Sequence, residues 1–148
     1  MSDLDINVLI GGAAGQGMDT LAGILSKSLH RQGFFVFVTK DYMSRVRGGH
    51  NFTQIRFGNR RFLSHRKKLD YIIALDSKTV ELHLNELHLN ELHLNELQSN
   101  KTEENYSEND FNTGVLICDQ EIEAPNSTNI FKLPLKEIAK RAGNPKTE

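Results

Sequence analysis

A chain of 148 residues with one cysteine and a formal net charge of −1 is sized for one domain, which buries roughly 70% of its unfolded surface if all of it packs. One cysteine excludes an internal disulfide framework, and a pI near 6.6 with sparse aromatic interleaving argues against nucleic acid. No apolar run approaches the roughly 20 residues that span a bilayer and no basic-then-apolar signal opens the chain, so a cytoplasmic protein is expected.

Ile6–Ile10 is a short apolar run, read as a strand, that ends in Gly11-Gly12-Ala13-Ala14-Gly15-Gln16-Gly17. Leu21, Ala22, Leu25 and Leu29 then recur at helical spacing until Gly33 supplies a C-terminal stop. Phe34–Thr39 is a continuous apolar run of strand length, so the first forty residues predict a β-α-β unit whose second strand is parallel to its first. Phe52–Phe57 alternates, and Gly58-Asn59 offers a turn before Arg61-Phe62-Leu63, which predicts a hairpin beside the parallel core. Leu69–Leu75 reads as a buried strand, with Asp76-Ser77 as N-cap chemistry for a helix starting near Lys78. Thr113–Asp119 and Asn129–Pro134 are two further strands, and Leu135–Ala142 a short helix ended by Gly143-Asn144-Pro145. The expected fold is α/β, a Rossmann-like three-layer sandwich with a mainly parallel sheet and a hairpin addition. Cys118 lies in a strand pattern and is expected to be a buried structural thiol.

Between these halves His-Leu-Asn-Glu-Leu occurs three times without change, at 83–87, 88–92 and 93–97. A five-residue period turns each copy by about 140° on a helix, so the leucines spread around it instead of forming one stripe. The three His-x-x-Glu pairs therefore point in different directions and do not converge on a metal. Solvated polar residues carried along by a repeat expansion are the expectation for His83, His88 and His93. Residues 98–112 hold only Tyr106 and Phe111 as large apolar groups and read as a solvated loop.

Charge is segregated along the chain: residues 40–68 carry nine Lys or Arg against Asp41 alone, while 81–110 carry eight acids against Lys101. Within the basic part, Arg45-Val46-Arg47-Gly48-Gly49-His50 follows a strand-like run. Guanidinium forks pair bidentately with phosphate or carboxylate, and glycines let backbone N–H groups approach. Lys40, Arg45, Arg47, Gly48, Gly49 and His50 are thus one candidate anion site, with a surface loop gripping an acidic neighbour as the alternative. Gly12, Gly15, Gln16 and Gly17, at a strand-to-helix junction, are a second. Their Gly-x-x-Gly-x-Gly order inverts the dinucleotide fingerprint, and Asp41, placed where a ribose-binding acid would lie, is a lone acid at a strand end, which is more often a turn former. A P-loop is excluded because neither its lysine nor its Ser/Thr follows. No spacing defines a nucleophile–base pair.

The glycine loop, its Met18-Asp19-Thr20-Leu21-Ala22 continuation and the run Lys40-Asp41-Tyr42-Met43-Ser44-Arg45-Val46-Arg47-Gly48-Gly49-His50-Asn51-Phe52 together resemble the gamma domain of 2-oxoacid:ferredoxin (2-oxoacid:acceptor) oxidoreductases. The likeness is greatest to forms in which that domain leads the alpha subunit. It is close over residues 6–76 and looser over 113–146. The resemblance implies one accessory gamma-type domain over 1–148, with 82–112 a repeat insertion and polar loop and the C-terminus truncated before a final helix. It further implies an enzyme that decarboxylates a 2-oxoacid with thiamine diphosphate, passes electrons through iron-sulfur clusters to ferredoxin and forms an acyl-coenzyme A. Partners would be alpha- and beta-type subunits in a hetero-oligomer or dimer, and the basic segment would lie near coenzyme A or a subunit contact. No cofactor is expected on this chain alone, which has neither cysteine pairs for a cluster nor the thiamine diphosphate motif. A free-standing nucleotide-binding module and a decayed fragment remain alternatives.

Overall fold

A computed structural model describes residues 3–13, 15–42, 50–87, 114–125, 129–135 and 137–138. Six strands form one sheet in the order β2-β3-β1-β4-β5-β6. They are β1 (Asp5–Gly12), β2 (Phe35–Tyr42), β3 (Asn51–Gly58), β4 (Tyr71–Ala74), β5 (Val115–Asp119) and β6 (Ile130–Leu133), with helices α1 (Met18–Arg31) and α2 (Ser77–His83). Strands β1, β4, β5 and β6 are parallel neighbours. β3 runs antiparallel to both β1 and β2.

Alternation sorts the side chains onto two faces. Val8 and Ile10 of β1 and Ile55 of β3 pack with Met18 and Ala22 of α1, and Leu21, Leu25, Leu29 and Ile73 border that cluster. On the other face Leu9, Ile72, Ala74, Leu116 and Cys118 pack with Val80, Leu69 and Leu87. The two helices therefore cover opposite faces, which completes the expected three-layer α/β arrangement. Burying each such aliphatic side chain contributes about 1.5–3 kcal/mol before the entropy of ordering it.

Local chemistry sets the helix ends. At the C-terminus of α1, Gly33 has φ +89°; its N–H bonds to His30 O and that of Phe34 to Leu29 O, the paired bonds of a Schellman stop. At the start of α2 the Asp76 carboxylate accepts from the Thr79 N–H at 2.8 Å and from its hydroxyl at 2.6 Å. Leu135, Glu137 and Ile138 have helical backbone, and the Ile138 N–H donates to Pro134 O. The rest of the predicted 135–142 helix and the C-terminal segment lie outside the described residues.

The antiparallel element differs from expectation. Residues 61–63 do not pair with β3; β3 is instead inserted between β1 and β2, so β2 keeps the direction of β1 without touching it. The reason is visible at the turn. Asn59 is tied to Leu4 through Leu4 N–H to Asn59 Oδ1 at 3.1 Å, and Phe62, 7% exposed, is held beneath the guanidiniums of Arg56 and Arg60, 4.5 and 5.3 Å from its ring. That contact folds 59–63 back as a coil. β2 is consequently an edge strand, and its apolar run leaves Phe35, Val38 and Tyr42 exposed.

Candidate functional site

β1 feeds α1 on one face and β4 feeds α2 on the other, so their carboxyl ends mark the point where the winding of the sheet reverses. Ligand sites of open α/β sheets are found at such points. The glycine turn lies there, at the end of β1. A Cβ on Gly12 would stand 2.6 Å from Gln16 Oε1 and 2.9 Å from Leu75 Cβ, so only glycine lets the turn lie against β4. Gln16 folds back over it, its Oε1 accepting from the Ala13 N–H at 2.8 Å. Gly17 adopts φ +83° as the residue before α1 and brings no side-chain cap. Among the described residues, no N-cap side chain bonds the first N–H groups of α1, whose first turn carries Asp19. The N-terminus of α2, by contrast, is capped by its own Asp76 carboxylate.

Lys40 reaches this junction from β2. Its Nζ is 2.8 Å from Asp19 Oδ1, and the Tyr42 hydroxyl donates to the same oxygen at 2.8 Å. Hydrogen bonds from Lys40 and then Tyr42 hold the Asp19 carboxyl below the usual carboxylate range, and Asp19 raises the Lys40 ammonium in turn. Lys40 thus ties the edge strand to the first turn of α1. Nothing local in the sequence announces this pairing, because Asp19 is 21 positions away.

Much of the basic run is engaged inside the fold. Arg56 forks onto Asp5, Nε to Oδ1 at 2.9 Å and Nη2 to Oδ2 at 2.7 Å; this bond, more than any other influence, keeps the Asp5 carboxyl low. Arg66 bonds the Asp5 carbonyl and the Asp70 carboxylate. The Arg66 carbonyl in turn accepts from Asn7 Nδ2 and Gln54 Nε2, and Asp70 Oδ2 from the Asn7 backbone N–H. These cations fasten β1, β3 and the coil before β4. Arg45, Arg47, Gly48 and Gly49 lie outside the described residues.

His50 is placed within the fold, only 2% exposed. It ends the segment that begins after Tyr42 and stacks on Phe52, centroids 5.8 Å apart. Its Nε2 lies 2.8 Å from Nε2 of His83, whose Nδ1 is 3.0 Å from Glu86 Oε2. His83 is itself only 8% exposed, contrary to the expectation of a solvated repeat residue. The first repeat copy carries this difference: α2 ends at His83, a 3-10 turn spans Leu84–Glu86, and Leu87 bridges to Leu69. Copies 88–92 and 93–97 lie outside the described residues, as does the polar loop 98–112. Among the described residues no group of three or more His, Cys, Asp or Glu could hold a metal ion. Cys118 is buried, and burial pushes its thiol up, as expected of a structural cysteine. Among the described residues no helix is long and apolar enough to cross a membrane.

The sequence is 32% identical over 75 residues to a 2-oxoacid:ferredoxin oxidoreductase subunit alpha of Sulfolobus sp. It is 31% identical over 75 residues to subunit alpha of 2-oxoacid:ferredoxin oxidoreductase 1 of Sulfurisphaera tokodaii. Each alignment covers 51% of this chain and 12% of the relative, so the chain spans a small part of these longer subunits. In fold it is similar to a 2-oxoglutarate:ferredoxin oxidoreductase from Magnetococcus marinus, with a TM-score of 0.69 at 14% identity over 95% of this chain and 22% of the other. It is also similar to the gamma subunit of a keto/oxoacid ferredoxin oxidoreductase from Geobacter sulfurreducens, with a TM-score of 0.56 at 16% identity over 86% of this chain and 59% of that one. The profile of the family described as pyruvate ferredoxin/flavodoxin oxidoreductase matches residues 7–148, nearly the whole sequence, and the chain belongs to that family.

Proposed function

We propose that the chain is a gamma-type domain or subunit of a thiamine diphosphate-dependent 2-oxoacid:ferredoxin oxidoreductase, assembling with alpha- and beta-type subunits. The observation that carries this reading is the family match over residues 7–148, which takes in the sheet, the glycine turn and the basic segment. The enzyme would oxidatively decarboxylate a 2-oxoacid to an acyl-coenzyme A and pass the electrons to ferredoxin. Thiamine diphosphate and iron-sulfur clusters would belong to its partners, since one buried cysteine supplies no set of thiolate ligands.

This chain's own part is assembly and contact with an anion. Gly12, Gly15, Gln16 and Gly17 shape a turn at the reversal point of the sheet, and the uncapped start of α1 presents positive partial charge there. Arg45 and Arg47, with Gly48 and Gly49, suit a phosphate of coenzyme A or a carboxylate on a partner subunit. Lys40 and His50 flank that segment, one holding α1 and the other holding α2. The experiment is reconstitution. Alpha- and beta-type subunits assayed for 2-oxoacid- and coenzyme A-dependent dye reduction should gain activity when this chain is supplied, and the chain alone should show none. Activity that is complete without it, together with tight binding of NAD, FAD or ATP by the isolated chain, would favour a free-standing nucleotide-binding module.

A further inference from the structure

Glu86 and His83 belong to the first repeat copy, whereas His50 starts the run into β3. They meet as one continuous chain of hydrogen bonds under Phe52. An ionised carboxylate only accepts, so His83 Nδ1 carries the proton given to Glu86. Its Nε2 then accepts from the His50 Nε2–H, and His50 Nδ1 is left as a bare lone pair, buried and, among the described residues, without a hydrogen-bond partner. One proton fits between the two rings; a second, on His83 Nε2, either sets N–H against N–H at 2.8 Å or drives the His50 proton to Nδ1, where no described group accepts it. A proton on His50 Nδ1 instead places a cation in a buried site. Either protonation opposes the closed arrangement.

We propose that Glu86, His83 and His50 form an acid-released clasp that holds residues 83–87 against the sheet. The clasp and the backbone act on the same stretch: the Leu69 N–H donates to Glu86 O at 2.8 Å, and Leu87 lies in parallel register with Leu69, which is fully buried. Opening it would undock Leu87 and uncover Leu69. Among the described residues, the charges acting on His50 come from α2, its cap and β2. Asp76 and Lys78 stand at the start of α2, Asp41 on β2 and His83 at the end of α2. Burial first, and then the charge of His83, push His50 below the usual histidine range, against the smaller pull of Asp76 and Asp41. The folded state therefore binds the proton less readily than the unfolded chain. The clasp is fully formed above the ordinary histidine value of about 6.5 and is lost as pH falls through the lower folded value. The inference is independent of the proposed enzyme: an unfolded-region signal here would leave the family reading untouched.

Amide hydrogen exchange on the full chain, corrected for intrinsic rates, tests it at Leu69 and Leu87. Protection should fall between pH 7.5 and 5.5 by up to about tenfold, the limit for one site whose open-state value lies about one unit above the lower pH. His50→Phe keeps a flat ring on Phe52 and removes the contact between the two imidazoles, so its fall in protection should be much smaller than the parent's. Should that variant fail to fold, His83→Gln retains an acceptor for the His50 N–H, abolishes the second imidazole and should shrink the fall. His50 ring signals followed by NMR in the parent should titrate below the ordinary value. Equal protection at both pH values, or the same fall in His50→Phe, overturns the clasp.

Discussion

Replacing Gly12 by alanine tests whether the turn at the end of β1 is built as described. The new Cβ would lie 2.6 Å from Gln16 Oε1 and 2.9 Å from Leu75 Cβ, both closer than real Cβ contacts allow. Gln16 can swing away only by giving up its bond to the Ala13 N–H, a loss of about 0.5–1.5 kcal/mol. The exposed position of Ala13 keeps that loss near the lower figure. Leu75 belongs to the α1-side cluster and cannot yield without disturbing it, and such overpacking costs about 1–3 kcal/mol. Together a destabilisation of about 1.5–3.5 kcal/mol is expected. Gly23 in α1 provides the opposite case, since a Cβ there meets nothing within 4 Å. Gly23→Ala should stabilise by about 0.5–1 kcal/mol through helix propensity. Urea unfolding of the two variants beside the parent measures both. A Gly12→Ala midpoint equal to that of the parent would refute the packing argument, whatever Gly23→Ala does.

Three further outcomes are expected. Asp5→Asn breaks a bidentate pair with Arg56 whose side chains are 20% and 13% exposed and should cost about 1.5–3 kcal/mol at pH 7. Because the folded Asp5 carboxyl is held below its ordinary 3.8, that difference should be complete above this value and shrink as pH falls through the folded one; a gap independent of pH contradicts the pairing. Deleting His88–Leu97 should leave cooperative thermal unfolding intact and reduce self-association on sizing, since His83 and Leu87 of the first copy already fill the docked positions; loss of the transition, or a zinc-dependent rise in the parent's Tm, counts against this. Arg47→Ala should weaken assembly or raise the coenzyme A requirement by about 1.5–3 kcal/mol, roughly tenfold or more, and an assembled enzyme that changes in neither respect would make the segment plain surface.

The parts of the fold that were legible in the sequence are those written in local chemistry. Asp76 before α2 and Gly33 after α1 act through neighbours one turn away, and runs such as Leu69–Leu75 declare a buried strand by composition. Sheet order is different, because it depends on which strand finds which. Phe34–Thr39 looks like a core strand by its apolar run yet lies at the edge, and the alternation of 52–57 does not disclose that β3 inserts beside β1. The glycine turn was legible as a tight strand-to-helix junction because glycine spacing there has a direct geometric meaning. The His50–His83 contact was not: 33 positions separate the rings, and exact repetition hid that the first copy begins at the last residue of α2.

Co-purification tests the central claim most directly. The chain is expressed together with alpha- and beta-type oxidoreductase subunits, one subunit carrying the only tag, and the product is sized and assayed. Membership in the assembly predicts that the chain elutes with its partners in a fixed ratio and that activity follows that peak. Elution of the chain as a monomer, beside partners that retain full 2-oxoacid:ferredoxin oxidoreductase activity, would contradict it.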